Sequence, residues 1–514
     1  MTAEMLKTRS AVAVLSLLAA STAAQAHAYG ERYDLPVPLW MNVAGGSAVV
    51  VLSFLMAAWF LQPQKQMHTP RPNLLVSPPG RMLGSEPVLL AVKILSVFLF
   101  VIALLAGFVG LPDYSRNAAP TIFWVLGWVG LAFASVLLGN IWLLVNPWLI
   151  LFEAADAFWR RLAGRGLSFQ LPYPRRLGVL PGIVMIVGFT WFMLASGLAG
   201  DSRSLACVVA FYSAVTWIGM LAFGASAWLA QGEAFTLLFG VLSRFSPTGL
   251  RVADREICKR ADCPPADDGG CSDCTEAFLL APPQKREITL RPYGAGLIVQ
   301  HPLSLSMIVV VLMVLALVAF EGFMDTAQWI DLMAFLGELE EPSGIRAPVK
   351  TTLCFLAATG ILFGLFFVVS GLMRRIGYAD AAPKYGTLQI MGLFVLSLVP
   401  ISIAYHFAHY LYWFYTQIQF VVPAASDPLA FGWNLFGGRD FVPDRAAIPL
   451  KVIWHTAIVA IVVGHVIAVY VAHRVALNVF GTRRAALLSQ IPMLLLMVAY
   501  TMTSLWMLAL PIMG

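Results

Sequence analysis

Residues 87–111 read PVLLAVKILSVFLFVIALLAGFVGL, an apolar run broken by a single charge, Lys93. About 20 apolar residues in a helix cross the hydrocarbon core of a bilayer. Within hydrocarbon, backbone N–H and C=O groups have no water to bond and must pair inside the helix. The run therefore predicts a transmembrane helix. Reading outward in both directions gives nine more runs of the same kind: 37–62, 120–144, 178–199, 205–226, 303–323, 349–373, 388–414, 450–473 and 489–511. Residues 228–245 (WLAQGEAFTLLFGVLSRF) are less apolar and predict an interfacial segment. The expected fold is all-α, a polytopic transmembrane helix bundle of about ten spans.

Composition agrees. Of 514 residues, 59% are hydrophobic and 12% charged, and the mean hydropathy is +0.79. Soluble domains carry about 25% charged residues. Half that share excludes a single soluble domain, a disordered chain and a nucleic-acid binder. The net charge of +6 matters through its placement rather than its size.

Residues 1–26 predict a cleaved signal peptide. Lys7 and Arg9 precede a short apolar stretch, Ala11 to Ala20, and Ala24-Gln25-Ala26 forms an A-x-A cleavage site. The mature chain then begins at His27, outside a bacterial inner membrane. The expected organisation is five spans in 27–226, a cytoplasmic loop in 227–302 and five spans in 303–514. With His27 outside, the inner loops hold 22 of the 33 Lys and Arg residues and the outer segments hold 8. That is the bias of the positive-inside rule, and it places both mature termini in the periplasm.

Ionisable groups at bilayer depth are costly and face a protein interior or a wet cavity. Five of the eight histidines lie in the last third of the chain. His406 and His409 stand a turn apart on one helix face, with Tyr410 and Trp413 extending it. The HxxH pair is a two-nitrogen donor set for a transition metal such as Zn or Cu. His455 falls near the outer end of the next span and is expected to converge with the pair. His27 offers an α-amine and an imidazole on the same face once the signal peptide is removed. Asp427, Asp440 and Asp444 in the connecting segment are candidate ligands or general bases. His465 and His473 lie deeper on their helix, at mid-membrane and near the inner surface. Each is a candidate haem ligand, proton-relay group or hydrogen-bonded core residue.

Cys258, Cys263, Cys271 and Cys274 form C-x4-C-x7-C-x2-C in the inner loop. The cytoplasm keeps thiols reduced, so four clustered cysteines there predict a metal site, tetrahedral Zn first and an Fe–S cluster second, with free or redox thiols as the alternative. No P-loop, GxSxG or dinucleotide fingerprint occurs.

Six segments carry a resemblance: HAYGERYDLPVP from His27, NAAPT from Asn117, LLGNIW from Leu137 with NPW from Asn146, AYHFAHY from Ala404, SDPLAFGWNLFG from Ser426, and VGHVIAVYVAH ending at His473. They resemble the polytopic bacterial membrane proteins named after fenitrothion hydrolase, over most of the mature chain. The resemblance implies an inner-membrane hydrolase of apolar organophosphorus triesters, assembled with a second membrane subunit. It supplies no catalytic residue set. Such an activity is expected to use a metal-bound water, with the metal at the periplasmic-side histidines. Two other classes fit the residues: a copper- or metal-handling membrane protein, and a haem-b redox subunit.

Overall fold

The computed structural model describes residues 38–61, 71–112, 116–265, 269–337, 346–379, 382–438 and 441–509. The expected signal peptide, His27 and Asp440 lie outside them. Among the described residues, nine helices are long and apolar enough to cross a membrane.

In chain order the first helices are α1 (Leu39–Phe60), α2 (Glu86–Val109) and α3 (Ala118–Leu137). An amphipathic α4 (Pro147–Ala163), a short α5 (Leu180–Ala195) and α6 (Ser202–Phe223) follow. Two half-helices come next, α7 (Ala225–Gln231) and α8 (Ala234–Ser243). A small extramembrane unit carries β1 (Thr248–Val252), α9 (Arg255–Arg260), β2 (Cys271–Ser272), α10 (Thr275–Leu280) and β3 (Arg286–Leu290). The chain ends with α11 (Leu305–Met324), α12 (Arg346–Gly377), α13 (Thr387–Ile418), α14 (Leu450–Val479) and α15 (Arg483–Leu508). The strands form one antiparallel sheet in the order β2-β1-β3, with Val252 opposite Cys271 and Leu250 opposite Ile288.

Two expectations change. The run 178–199 gives α5, which is shorter than a span and is followed by Gly197 in the left-handed region at φ +69°. The stretch expected at the interface, 228–245, is instead the α7–α8 pair, bent by 69° as in a broken span or a re-entrant loop. The break is built by Glu233, whose carboxylate accepts from Phe235 N at 3.0 Å and Thr236 N at 2.7 Å. That satisfies backbone donors freed at the start of α8. The bundle reaches ten spans only if this pair counts as one.

Burial ranks the helices. Of the most apolar stretch of each, 72% is buried in α11 and 78% in α13, against none in α2 and 17% in α1 and α12. The first two are therefore the centre of the bundle, and the others turn apolar side chains outward, as a helix in lipid does. α13 packs along both α11 and α14. The α13–α14 approach requires a glycine: a Cβ on Gly464 would overlap Ala404 Cβ and the Pro400 carbonyl oxygen.

Candidate functional site

The two most buried helices carry the ionisable cluster. Glu321, the only charged residue of the 303–323 run, lies in the last turn of α11 and is 3% exposed. His406 and His409 lie on α13 and are also buried. Glu321 Oε1 is 3.6 Å from His409 Nε2, and the Tyr410 hydroxyl donates to Glu321 Oε2 at 2.5 Å. Trp128 Nε1 of α3 donates to the Tyr410 oxygen at 3.4 Å. Three helices thus meet in one polar chain of indole, phenol, carboxylate and imidazole.

His406 is enclosed by rings. Trp128 and Phe133 meet it edge-on, each with centroids 5.7 Å away, and Tyr410 lies at 4.6 Å. The Nε2 atoms of His406 and His409 are buried and have no hydrogen-bond partner among the described residues. Gly322 lets α11 come this close, since a Cβ there would overlap the Tyr405 hydroxyl oxygen. Asp325 follows the last turn of α11, within electrostatic reach of His409 and Glu321. Burial pushes its carboxyl up from 3.8 to about 6, with His409 opposing the rise and Glu321 adding to it.

His455 does not join this cluster. It is exposed, and its Nδ1 bonds the Lys451 carbonyl oxygen at 2.6 Å. Asp427 and Asp444 shape the connecting segment instead. The Asp427 carboxylate accepts from Phe431 N at 2.9 Å and Gly432 N at 2.7 Å. Asp444 accepts from Ala446 N at 2.8 Å, and its backbone oxygen accepts from Tyr415 and Gln419. Short acidic side chains that fold back on backbone N–H groups are turn-formers. The expected convergence of His406, His409 and His455 over these aspartates is therefore not what the fold builds.

His465 and His473 lie buried on α14. The His465 Nδ1–H donates to the Ile461 carbonyl at 2.8 Å, and the Gln490 amide lies 2.9 Å from His473 Nδ1. The Nε2 atom of each has no hydrogen-bond partner among the described residues. Among the described residues, no three His, Cys, Asp or Glu side chains stand together as a metal's ligand shell. The four loop cysteines, expected as thiolate ligands, are joined here as Cys258–Cys271 and Cys263–Cys274. A sulfur in a disulfide has no thiolate to give a metal.

Several motifs that carry the resemblance turn out to be joints. Asn117 Nδ2 donates to Ala106 and Leu111, its Oδ1 accepts from Ala119 N, and the Ala118 N–H donates to Pro428. NAAPT and SDPLAFG therefore dock on each other. Asn146 caps α4 through Leu149 N at 3.1 Å.

Two cavities lie away from the cluster. One of about 250 Å³ is apolar and sits between α2, α3 and α6, with Phe100, Phe123 and Trp148 in its wall. The other, of about 1090 Å³, is polar and opens beside the disulfide-bearing unit, with Arg71, Arg175, Cys263 and Cys274 in its wall. Neither is lined by Glu321, His406 or His409.

Sequence reasoning missed Glu321. A lone carboxylate in an otherwise apolar span was the available signal. It also missed Glu233, which sits where the apolar pattern weakens. Comparison with known proteins adds no further constraint: no family model, curated protein or solved structure matches the chain.

Proposed function

We propose that this polytopic membrane protein works by exchanging a proton, or a cation in its place, at the Glu321–His409 pair. One observation carries the reading: a carboxylate and an imidazole 3.6 Å apart on the two most buried helices of the bundle. A pair of this kind is neutral overall when the imidazole is charged, so it is tolerated in a low-dielectric core. Adding or removing one proton leaves an uncompensated charge, which couples occupancy to helix packing. Tyr410 holds the carboxylate, and Trp128 holds Tyr410.

The test is infrared difference spectroscopy of the purified chain across an acid titration, with Glu321→Gln and Asp325→Asn measured alongside. The expected result is a carboxyl band that Glu321→Gln removes and Asp325→Asn leaves. Identical spectra for wild type and Glu321→Gln overturn the reading.

The organophosphorus hydrolase implied by the resemblance stands second. What favours it is the pairing of ligand types: an imidazole and a carboxylate, His409 and Glu321, stand 3.6 Å apart, and both types occur in catalytic zinc sites. On that reading Glu321 replaces the connecting-segment aspartates as ligand or base. Elemental analysis with fenitrothion hydrolysis, before and after metal removal, separates the two. A stoichiometric metal on which hydrolysis depends moves the conclusion to the hydrolase.

A further inference from the structure

The four cysteines are carried by two matching turns. In the first, Cys258 lies on α9, Asp262 takes a left-handed φ of +56°, and the Cys263 N–H donates back to the Cys258 carbonyl at 2.9 Å. In the second, Cys271 ends the pairing with β1, Asp273 takes a φ of +53°, and Cys274 begins α10. Each left-handed aspartate immediately precedes the second cysteine of its turn, and aspartate tolerates that region better than most residues. An arginine stands near each, loosely at the exposed Asp262 and closely at Asp273. Arg175 lies 3.9 Å from the Asp262 carboxylate, and the buried Arg291 donates to Asp273 at 2.5 Å.

The pairing runs between the turns, not within them. First cysteine meets first, with Cα atoms 5.8 Å apart, and second meets second, at 6.3 Å. Every sulfur of one turn therefore faces a sulfur of the other. All four share one small apolar cluster with Val252, Ala261, Ala277 and Ala281. Cys258 and Cys271 are shut inside it, while Cys263 and Cys274 border the polar cavity of about 1090 Å³.

Charge placement and sulfur pairing now point in opposite directions. The segment after α8, 244–302, holds eight Lys and Arg residues, which puts it on the cytoplasmic side by the positive-inside rule. That compartment keeps thiols reduced, and paired structural disulfides are rare there. Four thiolates set sulfur to sulfur across two turns are instead a tetrahedral donor set. With Zn–S bonds of about 2.3 Å, neighbouring sulfurs around one ion lie roughly 3.8 Å apart.

We propose that the reduced protein binds one tetrahedral divalent metal ion of the zinc class through Cys258, Cys263, Cys271 and Cys274. Two equivalents of a dithiol reductant convert the two disulfides into four thiols and are themselves oxidised to two disulfides. The metal then binds with release of four protons and leaves a centre of net charge −2. Arg175 and Arg291, which already hold the turns, place positive charge beside that centre. The cavity is its route of access. The site is closed, with no open coordination position, so its role is to fix the β1–β3 unit against the bundle. This inference is independent of the Glu321–His409 reading.

The experiment uses the full chain purified anaerobically, with Cys354→Ser as a control on a cysteine outside the cluster. Elemental analysis is expected to give about one zinc per chain in wild type and control, falling at least tenfold in Cys263→Ser and Cys274→Ser. If those variants fail to fold, the wild-type chain is reduced, stripped by a chelator and titrated with Co²⁺. A thiolate-to-cobalt charge-transfer band saturating at one equivalent is expected. Acid-quenched alkylation of whole cells gives the in-cell state of the same sulfurs. Absence of the cobalt band, or four sulfurs disulfide-bonded in cells with no bound metal, overturns the proposal.

Discussion

Two carboxylates lie buried within the apolar bundle, and their surroundings differ. Glu233, at the break between α7 and α8, is fully buried and accepts five hydrogen bonds: from Trp142, from Tyr212, from the backbone of Phe235, and from both the backbone and hydroxyl of Thr236. A carboxylate has about four lone-pair sites, so nothing is left to hold a ligand. Glu321 accepts from Tyr410 and turns its other oxygen toward an imidazole 3.6 Å away. The kind of partner separates a structural buried charge from a working one. The first is locked by neutral donors, whereas the second faces a group that itself takes up and releases a proton.

The comparison can be broken in order of expected effect. Glu233→Ala leaves the Trp142, Phe235 and Thr236 donors buried without an acceptor. We expect a loss on the order of 3–5 kcal/mol, seen as a large drop in apparent Tm in detergent. A near-normal Tm would mean that the α7–α8 break does not depend on its cap. Gly322→Ala forces a methyl into Tyr405 and pushes α11 from α13 beside Glu321. About 1–3 kcal/mol is expected, together with a shifted Glu321 carboxyl band. An unshifted band would show that the spacing of the two helices does not set the pair.

Glu321→Gln keeps an acceptor for Tyr410 but strips the imidazole of its counter-charge, so His409 sheds its proton; a loss of about 1–2 kcal/mol is expected, below that of Glu233→Ala, together with removal of the titrating band. Equal destabilisation by Glu233→Ala and Glu321→Gln would erase the distinction between the two sites. The smallest effect concerns pH. The Asp325 carboxyl is raised from 3.8 to about 6 by burial. Between those values the folded chain keeps a proton that the unfolded chain has lost, so stability falls as pH rises through about 4 to 6 and levels off above. Asp325→Asn is expected to flatten that slope in a series of apparent Tm against pH. A slope unchanged by Asp325→Asn assigns it to another group. His455→Ala, on an exposed ring, is expected to leave both the band and the Tm unchanged.

The distance between reading and structure follows the range of each interaction. Transmembrane helices are written in consecutive residues, which is why 87–111 is recognisable alone and its helix, Glu86–Val109, ends within two residues of the expected bounds. The HxxH pair is equally local, since helical periodicity puts His406 and His409 on one face. His455 was placed by helix end rather than by helix rotation, and rotation turned it outward. Asp427 looked catalytic by type, but its partners, Phe431 and Gly432, are four and five residues away and make it a turn. The α7–α8 stretch was misplaced because a buried Glu lowers the apolar score of a segment that tertiary donors make tolerable.

The sequence alone determined that the chain is a helical membrane protein, where most of its spans lie and which helix faces carry imidazole, because length, apolarity and the 3.6-residue period act between near neighbours. Only the tertiary structure decided that Glu321 of α11 meets His409 of α13, that Glu233 is saturated, and that the cysteines of one turn face those of the other. Each of these depends on helix rotation and on close approach at Gly322 or across a pair of turns. Such contacts join residues distant in the chain, and no local pattern encodes which of them meet.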